Sequence, residues 1–258
     1  MKIVVCVKQV PDTTAEKHLT PELSLDRGVA EPILNPFDEY AIEEALRVRE
    51  KMGGEATALC MGPLSAKETV RKAIAMGMNG AILVSDPALA RSDTLGTAYV
   101  LSVALRKLQF DLVLFGMQST DAGTGQVPGA VAEFLGLPQL TFASQLEVSS
   151  EKATIRRVTD GGYQLLAARL PAVVSVVKGI NEPRYPALRG IMQAKRAEIP
   201  VWSCSDLGVD PSRVGKVGAT TRVVSASPAE PRTPGPIIKD DGTAVQQIVE
   251  FLVQKKVL

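Results

Sequence analysis

Residues 111–136 read DLVLFGMQSTDAGTGQVPGAVAEFLG. A solid apolar run, Leu112–Phe115, gives way to glycines and small hydroxyl residues, then to a helical pattern. Pro128 falls in the first turn of that pattern and Gly136 follows its last. Strand, glycine-rich turn and helix in this order are the repeating unit of a parallel sheet covered by helices.

Working outward, three more apolar runs of strand length occur at Ile3–Val7, Ala56–Met61 and Ala81–Val84. Helical periodicity separates them. FDEYAIEEALRVREKMGG (37–54) places Ala41, Ile42, Ala45, Leu46 and Val48 on one face, after Asn35-Pro36 and before Gly53-Gly54. In LSAKETVRKAIAMG (64–77), Ser65 and Glu68 have capping-box spacing and Gly77 can close the helix. A third helix is expected from Ser92 in SDTLGTAYVLSVALRKL (92–108). Continuous apolar strands alternating with amphipathic helices predict an α/β fold: a doubly wound, mostly parallel sheet of the adenine-nucleotide-binding, flavodoxin- or Rossmann-like kind.

Beyond Pro138 the pattern changes. ATIRRVTDGGYQLLAARLPAVVSVV (153–177) reads as strands separated by a turn at Asp160-Gly161-Gly162. A segment rich in Pro and Arg follows, with a short helix from about Leu188 to Arg196. From Pro200 the chain turns to Pro, Ser, Gly and Thr, notably SASPAEPRTPGP (225–236), and lacks the apolar content of a second core. The expected division is therefore an α/β domain over residues 1–199 and an extended C-terminal arm over 200–258. The arm ends in a short helix near Val245–Lys255 and suits wrapping a partner subunit.

The totals exclude several classes. A net charge of +1 over 258 residues implies no field for nucleic acid or membrane surface. No apolar stretch approaches the roughly 20 residues that span a bilayer. MKIVVCVKQV (1–10) reads as a first strand, not a signal peptide, and the three separated cysteines fit a reducing compartment. The expected location is the cytoplasm.

Ligands of doubly wound sheets lie beyond the carboxyl ends of the strands. Here the strand ending at Phe115 leads to a helix start near Thr124 or Gly125. Unpaired amides there, backed by the helix dipole, suit a phosphate, and the glycines let a ligand approach the backbone. A plain strand-to-helix turn with a good cap is the other reading. VKQVPDTT (7–14), Asn35 and CMGP (60–63) follow other strands and could line the same crevice or serve only as turns. Catalytic sets are thin. His18, the single histidine, lies in a polar loop, and Cys6 lies on a buried-looking strand. Glu43 and Glu44 are adjacent on a helix and diverge, so they are no acid/base pair. The chain reads as a binder. In NEPRYPALRGIMQAKR (181–196), Arg184, Arg189, Lys195 and Arg196 rim the apolar Tyr185, Leu188, Ile191 and Met192. That pattern suits docking an acidic partner with a hydrophobic slot, or is an ordinary solvated helix.

The sequence resembles the small, or beta, subunit of electron-transfer flavoproteins. The resemblance rests on VKQVPDT (7–13), NPFDEYAIEEALR (35–47), AMG (75–77), GMQSTD with GQV (116–127), LPQLTFAS (137–144), DGG (160–162) and NEPRYPALRGIMQAKR (181–196), in family order over nearly the whole chain. It implies a heterodimer with an alpha subunit that holds most of a redox-active FAD, and a crevice in this chain for AMP. In electron-bifurcating members a second FAD that exchanges hydride with NADH takes the AMP's place.

Carried over by position, the nucleotide site involves Cys6, Lys8, Asn35, Met61, Gly116, Ser119, Asp121, Thr124, Gly125, Gln126 and Val127. The phosphates fall to the amides of Gly125–Val127 and the Thr124 hydroxyl, while Asp121 accepts from backbone or sugar hydroxyls. The partner-docking residues are Tyr185, Leu188, Ile191, Met192, Lys195 and Arg196. Electrons would come from acyl-CoA type or related dehydrogenases and go to a quinone oxidoreductase. DAGTGQV (121–127) is short, as in bifurcating members, whereas 181–196 has the form usual in AMP-type members. Thr13 stands where animal-type members carry an aromatic residue touching the FAD. The adopted expectation is AMP, with a second FAD as the alternative. A stand-alone adenylate-using enzyme is the remaining reading. It requires a pyrophosphate-cleaving loop and free catalytic bases, and the sequence displays neither.

Overall fold

The first strand, β1 (Lys2–Val7), lies inside a nine-stranded sheet in a computed structural model that describes residues 1–227, 231, 235 and 237–258. After it, β2 (Gln9–Pro11) and β3 (Pro32–Leu34) pair antiparallel as a small separate ribbon. Then come α1 (Pro36–Met52), β4 (Glu55–Met61), α2 (Lys67–Met76), β5 (Gly80–Val84), α3 (Thr94–Leu108), β6 (Leu112–Gly116) and α4 (Val127–Leu135). An antiparallel run follows: β7 (Gln139–Val148), β8 (Lys152–Thr159) and β9 (Gly162–Arg169). β10 (Ala172–Val176), α5 (Leu188–Arg196), β11 (Val201–Trp202), α6 (Cys204–Leu207), α7 (Gly215–Gly218) and α8 (Ala244–Gln254) complete the order.

The sheet runs β11-β5-β4-β1-β6-β10-β7-β8-β9, and every pairing from β11 to β7 is parallel. Strand order reverses at β1. The chain first builds β4 and β5 on one side, then crosses through α3 to lay β6 on the other. The carboxyl ends of β1 and β6 therefore open the crevice at which such sheets bind ligands.

Alternation along β1 divides the core. Ile3, Val5 and Val7 pack with α1 and α2 on one face, and Val4 and Cys6 pack with α3 and α4 on the other. Burying each such aliphatic side chain contributes about 1.5–3 kcal/mol relative to leaving it in water.

The expected elements differ from the fold in four places. Ser65 does not cap α2. A 3-10 turn over Leu64–Ala66 precedes that helix, and the Ser65 hydroxyl donates to Gln9 Oε1 at 3.3 Å. The third helix is capped by Asp93, one residue after Ser92, because its carboxylate accepts the Gly96 amide. The fourth begins at Val127, which keeps Pro128 in its first turn and Gly136 after its last as the pattern indicates, but lies two to three residues beyond the start near 124 or 125 taken for the anion site. Lastly, the first compact unit extends to Val224, and the second runs Ser225–Leu258. Residues 200–224, expected in the arm, belong to the α/β unit: β11 pairs with β5, and Cys204, Val209 and Val214 are buried in the α3 face of the core.

In the second unit, α8 places Val245, Ile248, Val249 and Leu252 at helical spacing, and part of the proline-rich stretch 225–236 lies outside the described residues. No helix among the described residues is long and apolar enough to cross a membrane.

Candidate functional site

The crevice floor is built where α1 starts. Asp38, in the first turn, is buried and accepts the Lys8 amide at 2.8 Å and Asn35 Nδ2 at 2.8 Å. Burial pushes its carboxyl up to about 7, against the hydrogen bonds from Asn35 and the Lys8 backbone. Gly116 closes β6 directly against this turn: a Cβ there would lie 2.5 Å from Asp38 Oδ1 and 2.7 Å from the Phe37 carbonyl oxygen. Only glycine permits that approach. Asn35 is buried at 1% exposure, and its side chain is committed inward. Nδ2 also donates to the Gln118 carbonyl at 2.9 Å, and Oδ1 accepts the Thr120 amide at 3.2 Å. Cys6 is buried between β4 and β6, where loss of solvent pushes its thiol well up. Met61 is half-buried at the end of β4.

Above the floor, Lys8 is half-exposed, but its ammonium is paired within the chain. Its Nζ donates to Asp121 Oδ1 at 2.7 Å and to Ser119 Oγ at 3.3 Å. Arg27 donates to the other oxygen of Asp121 through Nε at 2.9 Å and a terminal nitrogen at 2.8 Å. The Ala122 amide also donates to this carboxylate, at 2.8 Å. Burial opposes the Asp121 charge, but the Lys8 charge and hydrogen bonds from Lys8, Ser119 and Arg27 outweigh it and hold the group well below the usual carboxylate range. One carboxylate between two cations leaves this wall net positive. Lys17 reaches the same loop, donating to the Thr120 carbonyl at 3.0 Å. The sequence reading missed Arg27 and Lys17 because they come from the long excursion between β2 and β3, which carries no periodic signal.

The third wall is the start of α4. Its N-cap, Gln126, supplies no side-chain acceptor. The amides of Gly125, Gln126 and Val127 donate to no group among the described residues. Gly123 and Gly125 both have φ near +63° and turn the chain into the helix, while Thr124 is exposed beside them. Three adjacent free amides at the positive end of a helix form an anion cradle. Phe142 stands close by: a Cβ on Gly125 would be 3.8 Å from its ring. Phe142 itself has φ of 59° at a bulge in β7, where its amide donates to Ser175 Oγ at 3.0 Å.

This donor set suits an anion such as phosphate, with Lys8 and Arg27 adding positive charge and Asp121 fixing them. Among the described residues, no group of His, Cys, Asp and Glu could hold a metal ion.

Residues 23–207 match the family profile described as the electron transfer flavoprotein domain. The chain belongs to the electron-transfer flavoprotein family. Its similarity is to beta subunits. The Mycobacterium tuberculosis protein named electron transfer flavoprotein subunit beta is 41% identical over 263 aligned positions, covering 99% of each chain. The Megasphaera elsdenii protein of the same name is 38% identical over 270 positions, covering all of both chains. Protein FixA of Azorhizobium caulinodans is 40% identical over 233 positions, 86% of this chain and 83% of that one.

A second surface of this electron-transfer flavoprotein chain is organised by α5. One face of the helix packs on α2. A Cβ on Gly190 would lie 2.2 Å from the Ala75 carbonyl oxygen, Ala194 is buried, and Arg71 donates to the Ala194 and Ala197 carbonyls. The opposite side leaves Tyr185 93% and Leu188 76% exposed, with Ile191, Met192, Lys195 and Arg196 also exposed.

Arg184 is not part of the free basic rim expected for it. It donates to Glu43 at 2.7 Å and Glu50 at 2.6 Å. Asn181 donates to the Tyr40 carbonyl and to Glu44. The adjacent Glu43 and Glu44 thus strap residues 181–184 onto α1, and the projecting rim is Arg189, Lys195 and Arg196.

Proposed function

We propose that the chain serves as the beta subunit of a heterodimeric electron-transfer flavoprotein, carrying electrons from acyl-CoA type dehydrogenases towards a quinone oxidoreductase. The crevice between β1, β6 and α4 holds AMP as a fixed structural group. The single observation that carries the nucleotide assignment is the row of unpartnered amides at Gly125–Val127, at the switch point of the sheet and beside the Lys8–Asp121–Arg27 cluster. Those amides and the Thr124 hydroxyl bind the phosphate. Asp121 orients the two cations rather than meeting the phosphate itself.

The electron-carrying chemistry would be supplied by a redox-active FAD held mainly by the alpha subunit. This chain's residues bind, orient and dock. The apolar crest of Leu188, Ile191 and Met192, with its basic rim, engages a slot on the partner dehydrogenase. Three free, buried cysteines suit a cytoplasmic setting. The amphipathic α8 suits packing on the alpha subunit.

The test is to release the nucleotides from the purified protein with its co-purifying subunit and count them. One AMP and one FAD per pair is the expected result. Two FAD per pair would replace AMP carriage with the bifurcating reading, which the short 121–127 loop favours.

A further inference from the structure

We propose that Asp38 is a positioning residue for the nucleotide crevice: acting through Asn35, it sets the path of residues 118–120 and hence the approach to the α4 amides. The proposal rests on the nucleotide reading above.

The geometry is a two-residue relay. Asp38 Oδ2 accepts the Lys8 amide, which ties it to the end of β1, and Oδ1 accepts Asn35 Nδ2. Asn35 passes the constraint on by donating to the Gln118 carbonyl and accepting from the Thr120 amide. Three segments far apart in sequence are thereby joined: the β1 exit, the α1 start and the β6 exit. Asp38 is 5% exposed, so it acts through Asn35 and not on a ligand. At the far end of the relay, the Thr120 hydroxyl is buried with no hydrogen-bond partner among the described residues. A buried hydroxyl in that state calls for an explanation, and a hydrogen bond to a bound group would supply one.

The relay requires the carboxylate. Both Asp38 oxygens face N–H donors, and protonation would set an O–H against one of them. The groups facing Asp38 are Cys6 from β1, Lys8 directly after it, Cys60 from β4 and the Gly116 amide from β6. Burial pushes the Cys60 thiol up to about 12 and the Cys6 thiol well up, so both thiols stay neutral near pH 7. Asp38, with its value near 7, then changes charge within the physiological range.

The experiment first removes the resident nucleotide from the purified full chain with its co-purifying subunit, and then titrates it with AMP between pH 5.5 and 8. Wild type, Asp38→Asn and Asn35→Ala are compared, with thermal unfolding as a control. The phosphate of AMP itself titrates near pH 6, and taking the ratio of wild-type to variant affinity cancels that term. The expected ratio for Asp38→Asn is roughly tenfold at pH 8, a loss of about 1.4 kcal/mol, shrinking towards one at pH 5.5. Asn35→Ala weakens binding and flattens the profile in the same way. A pH-independent ratio for both variants overturns the proposal while leaving the nucleotide reading standing. Should Asp38→Asn not fold, Asn35→Ala and the wild-type profile decide by the same criterion. Failure of the wild type to bind AMP at any pH overturns the nucleotide reading, and this proposal with it.

Discussion

The Nζ of Lys8 lies 2.7 Å from Oδ1 of Asp121, joining the end of β1 to the loop that leaves β6. With Arg27 on the other carboxylate oxygen, the Asp121 side chain is 1% exposed. Asp121→Asn removes the charge that both cations share. It is expected to lower the unfolding free energy by about 1–3 kcal/mol, or several degrees in Tm. Asp121 has a depressed folded value, so its stabilisation is present above the ordinary aspartate value of 3.8 and is lost as pH falls. The gap between wild type and variant should be full at pH 7 and close below pH 4. Denaturant melts across that range check both parts.

Asp38 gives the opposite slope. Its folded value near 7 lies above the ordinary 3.8, so the folded state holds the proton more tightly than the unfolded chain does. The stability it contributes is fully present below 3.8 and is lost as pH rises through 7. Relative to Asp38→Asn, the wild type should lose stability between pH 5 and pH 8. A flat difference in denaturant melts over that interval would contradict the burial argument.

Gly190 sets the distance between α5 and α2. Gly190→Val drives a side chain into the Ala75 carbonyl and should cost roughly 1–3 kcal/mol, as overpacking does. If α5 docks a dehydrogenase as proposed, the outward shift of the helix should slow reduction by that partner as well. Thermal melts together with partner-dependent flavin reduction test the pair of effects.

Leu188→Ala touches a side chain 76% exposed, so stability should change by less than about 0.5 kcal/mol. On the proposed docking role, reduction by a partner dehydrogenase should nevertheless weaken, with nucleotide content unchanged. Unaltered partner kinetics would remove the docking role from α5.

Much of the fold was legible because its signals are local. The apolar runs at Ile3–Val7 and Leu112–Phe115, and the capped amphipathic stretches between strands, carry their own periodicity. β7 had no such signal: Gln139–Val148 mixes polar and apolar residues and contains a bulge. Residues 200–224 were read as arm because they contribute three scattered buried side chains, Cys204, Val209 and Val214, and no periodic face. The α4 cradle was readable from glycines and a helix start. The roles of Arg184 and Asn35 were not. Arg184 meets Glu43 across 141 residues of chain, and Asn35 meets Thr120 across 85, and no local pattern marks either contact.

The most direct test of the account is the nucleotide released on denaturing the purified protein with its co-purifying subunit. One AMP beside one FAD per pair is expected, with the AMP lost when the Gly125–Val127 turn is disrupted by Gly125→Val. A pair that releases a single FAD and no other adenine nucleotide would contradict it.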